Sequence, residues 1–291
     1  MTLPFSSLFR PSKNIPTRGT RERGLSPQFL RSLSAAQKEY ESKGFAVIPE
    51  VFTPEEINRL RAASLIALTQ LGEIKKHYTH EPLETTSKSG FESPALLFWP
   101  RLANREFAEF SDDPRLRAVV QAFLGDSVKQ LNNQFYYRLP GDGDQFSWHQ
   151  DIMFRTPLEQ YPGVVEEDGY LQTAILVDDF LESNAPVTFI AGSHKLGNLE
   201  LQKDIKQSVL RDLNGTKLPK ALESLSLENL LGKSGSIAVW SSLTAHRSSP
   251  NLGLSSRFYL MNGFARARNS RPWPWYMKDG ALCDLDPRMI P

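Results

Sequence analysis

The stretch FSWHQDIMF, Phe146 to Phe154, sets a histidine and an aspartate two positions apart in a run of apolar and aromatic residues. In a β-strand, residues i and i+2 point to the same face. A strand here turns His149 and Asp151 to one side and Gln150 to the other. Short runs of similar character recur through the C-terminal two-thirds of the chain. Segments 127–138, 145–154, 170–177, 186–190, 235–240 and 257–264 are rich in aromatic and β-branched residues and are separated by Gly, Pro, Asn or Asp clusters. Each reads as a strand. A helical insertion around Leu199 to Leu213 interrupts them, and no internal repeat is visible.

Upstream the period is helical. Residues 1–25 are rich in Pro, Ser, Arg and Gly and lack a period, which predicts an irregular N-terminal arm. From Ser26 to Lys43 the residues Phe29, Leu30, Leu33 and Ala36 recur at helical spacing, and Gly44 stands where a C-cap belongs. A short strand, FAVI, follows. Thr53-Pro54-Glu55-Glu56 then combines an N-cap, a proline at the first helical position and a glutamate at N3, opening a helix to about Leu71. Residues 73–110 read as loop with short regular pieces, and Asp113-Pro114 opens another helix ending at Leu124-Gly125. Helices first and strands after predict an α+β chain: residues 26–291 as one domain, with a jelly-roll core over about 127–265 supported by the N-terminal helices.

Composition narrows the function. The net charge of +1, from 34 basic and 33 acidic residues, gives no field to draw the chain to nucleic acid or an anionic membrane. No continuous apolar run approaches the length of a membrane span or an export signal. The single cysteine, Cys283, has no second thiol with which to form an internal disulfide. The expectation is a cytoplasmic protein, monomer or homodimer, acting on a small molecule.

A His-x-Asp pair arises by chance in about one of every four chains of this composition, so the spacing alone carries little. His246 changes the weighing. It follows the β-like run SIAVW, and two imidazoles with one carboxylate form the facial set that holds non-haem Fe(II) and leaves three coordination positions open. Arg257, eleven residues on, heads another β-like run. A guanidinium there can hold a carboxylate bidentately, as a metal-chelating dicarboxylate requires. Ser248 and Ser255 could add hydroxyl donors.

Taken together, the GFAVIPEVFTPEEINRLR segment, the WHQD motif, the PVTFIAGSHKLG turn and the His246-to-Arg257 spacing resemble the phytanoyl-CoA dioxygenase family of Fe(II)- and 2-oxoglutarate-dependent oxygenases. The likeness runs from about Leu33 to Phe264. It implies a double-stranded β-helix, iron held by His149, Asp151 and His246, and Arg257 on the distal carboxylate of 2-oxoglutarate, with O2 as co-reactant. It also implies an amide against the 1-carboxylate; Asn133 matches best, with Gln134 or Asn132 if the register slips. Asp151 is retained, whereas halogenases of the family lose this carboxylate, so hydroxylation or desaturation is implied. The run WHQDIMFRTP departs from the WHSDFETWH-like run of ectoine hydroxylases. The substrate stays open, from acyl-CoA to amino acid or secondary metabolite. Two other readings are a cupin-like dioxygenase or isomerase that uses no 2-oxoglutarate, and a non-catalytic ligand-binding β-helix.

Other conspicuous residues have plainer readings. His77 and His80 fit a solvated loop, and His194 fits an architectural Gly-Ser turn. Trp148, Phe154, Phe98, Trp99 and Trp240 could line a pocket or simply pack. Arg155 and Gln172 could contact a polar substrate group, with an exposed strand end as the plainer reading. Trp273, Trp275 and Tyr276 lie among prolines, which rules out an ordinary helix there.

Overall fold

The computed structural model describes residues 25–69, 96–141, 146–152, 169–199, 222–267 and 273–286. The expectations for the arm, His77, His80, Phe154, Arg155 and most of the 199–213 insertion fall outside these residues. Helix α1 (Pro27–Lys43) begins where Ser26 Oγ accepts from the Phe29 N–H at 3.1 Å. Strand β1 (Phe45–Ile48) follows, then α2 (Pro54–Thr69). The capping box at Thr53 forms: the Thr53 N–H donates to Glu56 at 2.8 Å, and Thr53 Oγ1 accepts from the Glu56 N–H at 3.3 Å. After β2 (Leu96–Phe98) come α3 (Arg105–Ser111) and α4 (Pro114–Leu124). Helix α3 lies in the segment expected to be mostly loop. Its seven residues are too few to display a helical period, though Asn104 caps it by accepting from the Glu106 N–H at 2.9 Å.

Apart from short 3-10 turns, the remaining elements among the described residues are strands: β3 (Val128–Tyr136), β4 (Phe146–His149), β5 (Leu171–Leu176), β6 (Val187–Ile190), β7 (Leu227–Asn229), β8 (Ile237–Ser241), β9 (His246–Ser248), β10 (Tyr259–Arg266), β11 (Trp275–Lys278) and β12 (Ala281–Leu282). All pairings between these strands are antiparallel. The larger sheet runs β1-β8-β5-β10-β3-β11-β12 with β2 also on β3, and the smaller runs β4-β9-β6-β7. Strands β7, β9, β11 and β12, of two to four residues, were not expected from sequence. The Trp-Pro segment ends as β11, docked on β3, with Lys129 Nζ 4.1 Å from the Trp275 ring centre.

The larger sheet is buried on both faces, so its strands lose the apolar-polar alternation of a half-exposed sheet. On one face Phe135, Ile175, Val239, Leu260 and Phe264 pack against Leu33, Leu60, Phe107 and Val119 of the four helices. On the other, Ala174, Leu176, Trp240, Tyr259 and Met261 share a cluster with Val187 and Phe189 of the smaller sheet. The two sheets therefore face each other across this second core.

Gly44 joins the helices to that arrangement. Its φ of +87° ends α1, and its carbonyl accepts from the Ser241 N–H at 2.9 Å and from Thr244 Oγ1 at 2.8 Å. A Cβ there would stand 2.5 Å from both Thr244 Oγ1 and His194 Nδ1. His194 itself is buried, and burial pushes its imidazole down to about 4. Only glycine meets both the dihedral and the space requirement. Gly44→Ala is expected to lower stability by roughly 2–4 kcal/mol, read as a lower midpoint in urea with unchanged slope.

Because the His194 imidazole titrates lower folded than unfolded, the unfolded chain takes up the proton first as pH falls. Stability from this group is full above about 6.5 and declines as pH drops toward 4. Urea midpoints across that range are expected to slope less in His194→Gln than in the parent chain.

Candidate metal centre

Strand β4 ends at His149, so alternation along a strand does not by itself place Asp151. The turn is fixed by Gln150 instead. Its Nε2 donates to the carbonyls of Gly197 at 2.8 Å and Leu243 at 2.6 Å, and its Oε1 accepts from the Leu199 N–H at 2.8 Å. Gln150 thus points away from His149, as expected, but into protein rather than solvent. Tyr170 donates its hydroxyl to the Asp151 carbonyl at 2.9 Å, and the Ile152 N–H donates to the Ser242 carbonyl. These bonds return Asp151 to the His149 side. The third group arrives by strand pairing: β9 sets His246 directly opposite His149 and, on its other edge, opposite Phe189.

The donor atoms of His149, Asp151 and His246 all lie within 4.8 Å of one another. Asp151 Oδ1 stands 3.6 Å from Nε2 of each histidine. The His246 Nδ1 sits 2.9 Å from the Thr244 carbonyl, which assigns the proton to Nδ1 and leaves the Nε2 lone pair toward Asp151. Burial pushes the His246 imidazole down to about 4, so it is a neutral donor near pH 7. Burial also opposes charge on Asp151. The neighbouring imidazoles and the Trp240 hydrogen bond outweigh it and hold the carboxyl below the usual carboxylate range. Trp240 Nε1–H reaches Asp151 Oδ2 at 2.8 Å, so one carboxylate oxygen is committed and the other faces the imidazoles. Two imidazole nitrogens and one singly available carboxylate oxygen fit a facial site for a ferrous ion.

Arg257 lies just before β10, 1% exposed, with its guanidinium 5.3 Å from the Phe180 ring centre. Asp178 clamps it from both sides, accepting from Ser256 Oγ at 2.7 Å and from the Phe258 N–H at 2.9 Å, and Asp178 also pairs with Arg61 of α2. Ser248 follows His246 by two on β9, buried and opposite Phe146. Ser255 is exposed on the preceding loop.

Asn133 departs from expectation. Its amide donates to Ser111 Oγ at 3.1 Å and Asn262 Oδ1 at 2.7 Å, and its oxygen accepts from the Arg101 N–H, all on the helical side of the sheet. Gln134, one residue on, pairs with Met261 on the face toward His246, and Tyr136 donates to its Oε1 at 3.3 Å. Asn132 lies on that same face, opposite Gly263. The register differs by one from the best sequence match, which exchanges the two faces. Gln172 is not an exposed strand end: it is 2% exposed, paired with Trp240 and Gly263 on the inner face. Trp148 faces outward, its ring 4.9 Å from the Arg247 guanidinium. Phe98, paired with Gln134, sits on the inner side at the sheet edge, and Trp99 enters a left-handed turn with its N–H on the Asn133 carbonyl. The holding roles of Gln150, Trp240 and Asp178 were not read from sequence. For Trp240 the signal was present, since strand alternation along SIAVW places it on Ala238's face.

The chain is similar over most of its length to known proteins. Its sequence matches the Phytanoyl-CoA dioxygenase (PhyH) family over residues 40–259. A probable alpha-ketoglutarate-dependent hypophosphite dioxygenase of Stutzerimonas stutzeri is 26% identical over 244 residues, covering 82% of this chain and 79% of that one. An ectoine dioxygenase of Bordetella bronchiseptica is 25% identical over 241 residues, covering 77% and 73%. Among solved structures, EctD from S. alaskensis with 2-oxoglutarate and 5-hydroxyectoine has a TM-score of 0.61 at 16% identity, covering 97% of this chain and 89% of that one. The epimerase SnoN in complex with Fe3+, alpha ketoglutarate and nogalamycin RO gives 0.63 at 13%, covering 87% and 88%. Fold and donor set together define a non-haem iron oxygenase. The chain belongs to the phytanoyl-CoA dioxygenase family.

Trp240→Phe keeps the ring's packing and removes the donor to Asp151. Fe(II) titration of that variant is expected to show affinity lower by about tenfold to a hundredfold, with the far-ultraviolet spectrum unchanged.

Proposed function

We propose that this chain is an Fe(II)- and 2-oxoglutarate-dependent oxygenase that hydroxylates or desaturates a small molecule, releasing succinate and CO2. The observation that carries it is the convergence of His149, Asp151 and His246 on one point, with the second oxygen of Asp151 taken by Trp240. The two facing sheets are read as a double-stranded β-helix, a reading favoured by the likeness to EctD and SnoN.

His149 Nε2, His246 Nε2 and Asp151 Oδ1 would hold the metal. Arg257 and Ser248 take the distal carboxylate of 2-oxoglutarate, and Gln134 takes the place expected for Asn133 beside the 1-carboxylate. When bound, the ferrous ion supplies the redox chemistry that couples O2 and 2-oxoglutarate to oxidation of a C–H bond. The protein's own work is positional. Gln150 and Trp240 fix Asp151, the Thr244 carbonyl fixes His246, and Asp178 fixes Arg257, so the ligands need little reorganisation when the cosubstrate enters. Phe45, Phe189 and Trp240 form an apolar wall beside His246 that excludes water from the reacting region. Asp151 is retained where halogenases of the family lose the carboxylate, which favours oxygenation over halogenation. The two sequence relatives are named for hypophosphite and for ectoine, so family membership leaves the substrate open.

Purified protein with Fe(II) and 2-oxoglutarate under air is expected to form succinate slowly without substrate and faster with the right one. Background-level succinate across a broad panel would sink the reading. Asp151→Ala should lose tight Fe(II) binding; wild-type affinity in that variant would remove Asp151 from the ligand set. Arg257→Ala should keep iron and lose 2-oxoglutarate.

A further inference from the structure

Arg257 has a twin. The β3–β10 register pairs Tyr136 with Tyr259, and two residues further out the Arg257 N–H donates to the Arg138 carbonyl at 2.8 Å. Arg138 and Arg257 are therefore cross-strand partners, and directly opposed residues on antiparallel strands share a face. That face is the inner one. The Arg257 guanidinium lies 5.8 Å from the Tyr259 ring centre, and the Arg138 guanidinium lies 5.3 Å from that of Phe146, the strand partner of Ser248. Both arginines are 1% exposed.

Two guanidinium groups at directly opposed positions on one face can both donate to a single anion lying between them. Their location says which anion. Tyr136 and Tyr259 stack at 4.7 Å and 2° between the arginines and the triad. Burial raises the Tyr259 hydroxyl; Arg257 and Arg138 act against that, and Asp151 acts with it. The Tyr136 hydroxyl likewise senses both Asp151 and Arg138. A short dicarboxylate whose 2-oxo acid end sits at the triad thus directs its far end to the arginine pair, beside Ser248.

We propose that Arg138 is a second cosubstrate-binding residue, which with Arg257 forms a two-guanidinium clamp on the distal carboxylate and selects dicarboxylic over monocarboxylic 2-oxo acids. This rests on the 2-oxoglutarate reading above. It adds a cation to a subsite for which one arginine is sufficient, and it makes the far charge of the cosubstrate, rather than its chain length, the property the pocket reads.

The test is calorimetric titration of the Fe(II)-loaded protein under argon with 2-oxoglutarate and with 2-oxopentanoate, which has the same chain without the distal carboxylate. Wild type is expected to prefer 2-oxoglutarate strongly. Arg138→Met should weaken 2-oxoglutarate by roughly tenfold to a hundredfold, the loss of a charge-assisted pair, while 2-oxopentanoate and Fe(II) affinities stay within about twofold. Arg138→Lys, which keeps the charge without the fork, should give an intermediate loss confined to 2-oxoglutarate. Equal weakening of both acids in either variant, or no weakening of 2-oxoglutarate, overturns the clamp and leaves Arg138 a structural cation. Wild type that binds neither acid overturns the 2-oxoglutarate reading itself.

Discussion

The pairing of β4 with β9 places His149 directly across from His246, and the chemistry of the site depends on that register. Neither strand is long: four residues in β4 and three in β9. Their own ladder is too short to fix a register with confidence, so it must be imposed from outside. On one side β6 continues the sheet and pairs Phe189 with His246. On the other, the loop that delivers His246 is held at Gly44, where the helical layer begins, and at Ser193, whose hydroxyl accepts from the Ala245 N–H at 2.9 Å. The metal-facing strand is thus positioned by its attachments, and Gly44, some two hundred residues away in sequence, is one of them.

The same economy governs Asp151. A buried carboxylate is costly unless each oxygen has a partner. Trp240 supplies a neutral donor to Oδ2, which satisfies that oxygen without adding a charge that would compete with a metal for Oδ1. Because Trp240 belongs to the larger sheet and Asp151 to the smaller sheet's edge, this one hydrogen bond also joins the two layers. Packing and ligation therefore cannot be varied independently: the indole that fills the space between the sheets is also the group that orients the ligand.

How much of this was legible in the sequence follows from the range of the signals. Caps and helix starts are local, so Ser26, Gly44, Thr53-Pro54 and Asp113-Pro114 could be read directly. The long strands announced themselves by composition. Strands β7, β9, β11 and β12 did not, because two to four residues cannot express a period and their formation depends on partners distant in the chain. The cluster of His149, Asp151 and His246 could be anticipated from residue types, although the geometric reason for it differed: Asp151 reaches the site through a turn held by Gln150, not by strand alternation. Arg138 and Asp178 carried no local mark, since their importance arises from the strand partner and from the loop each one touches.

Asn133 shows why the inner amide was the hardest residue to name. Sequence QLNNQ offers an amide at almost every position, and which ones face inward depends on a register that one residue's slip would invert. The register is set on the opposite face. There Asn262 Oδ1 accepts from both Gln130 and Asn133, Asn133 bonds Ser111, and Arg101 links Gln130 to Asp112 at 2.6 and 2.7 Å. A bulge between Gly263 and Phe264 offsets β10 against β3 just beyond this network, and Gly263 is the residue that tolerates it, since a Cβ there would meet the Asn132 amide at 2.6 Å. Apolar packing alone would accept either phase of so amide-rich a strand. A buried polar network with specific partners does not, because a slip would strand several of its groups without hydrogen bonds at once. The side of the sheet that packs on the helices thereby decides which amides lie on the face toward the triad.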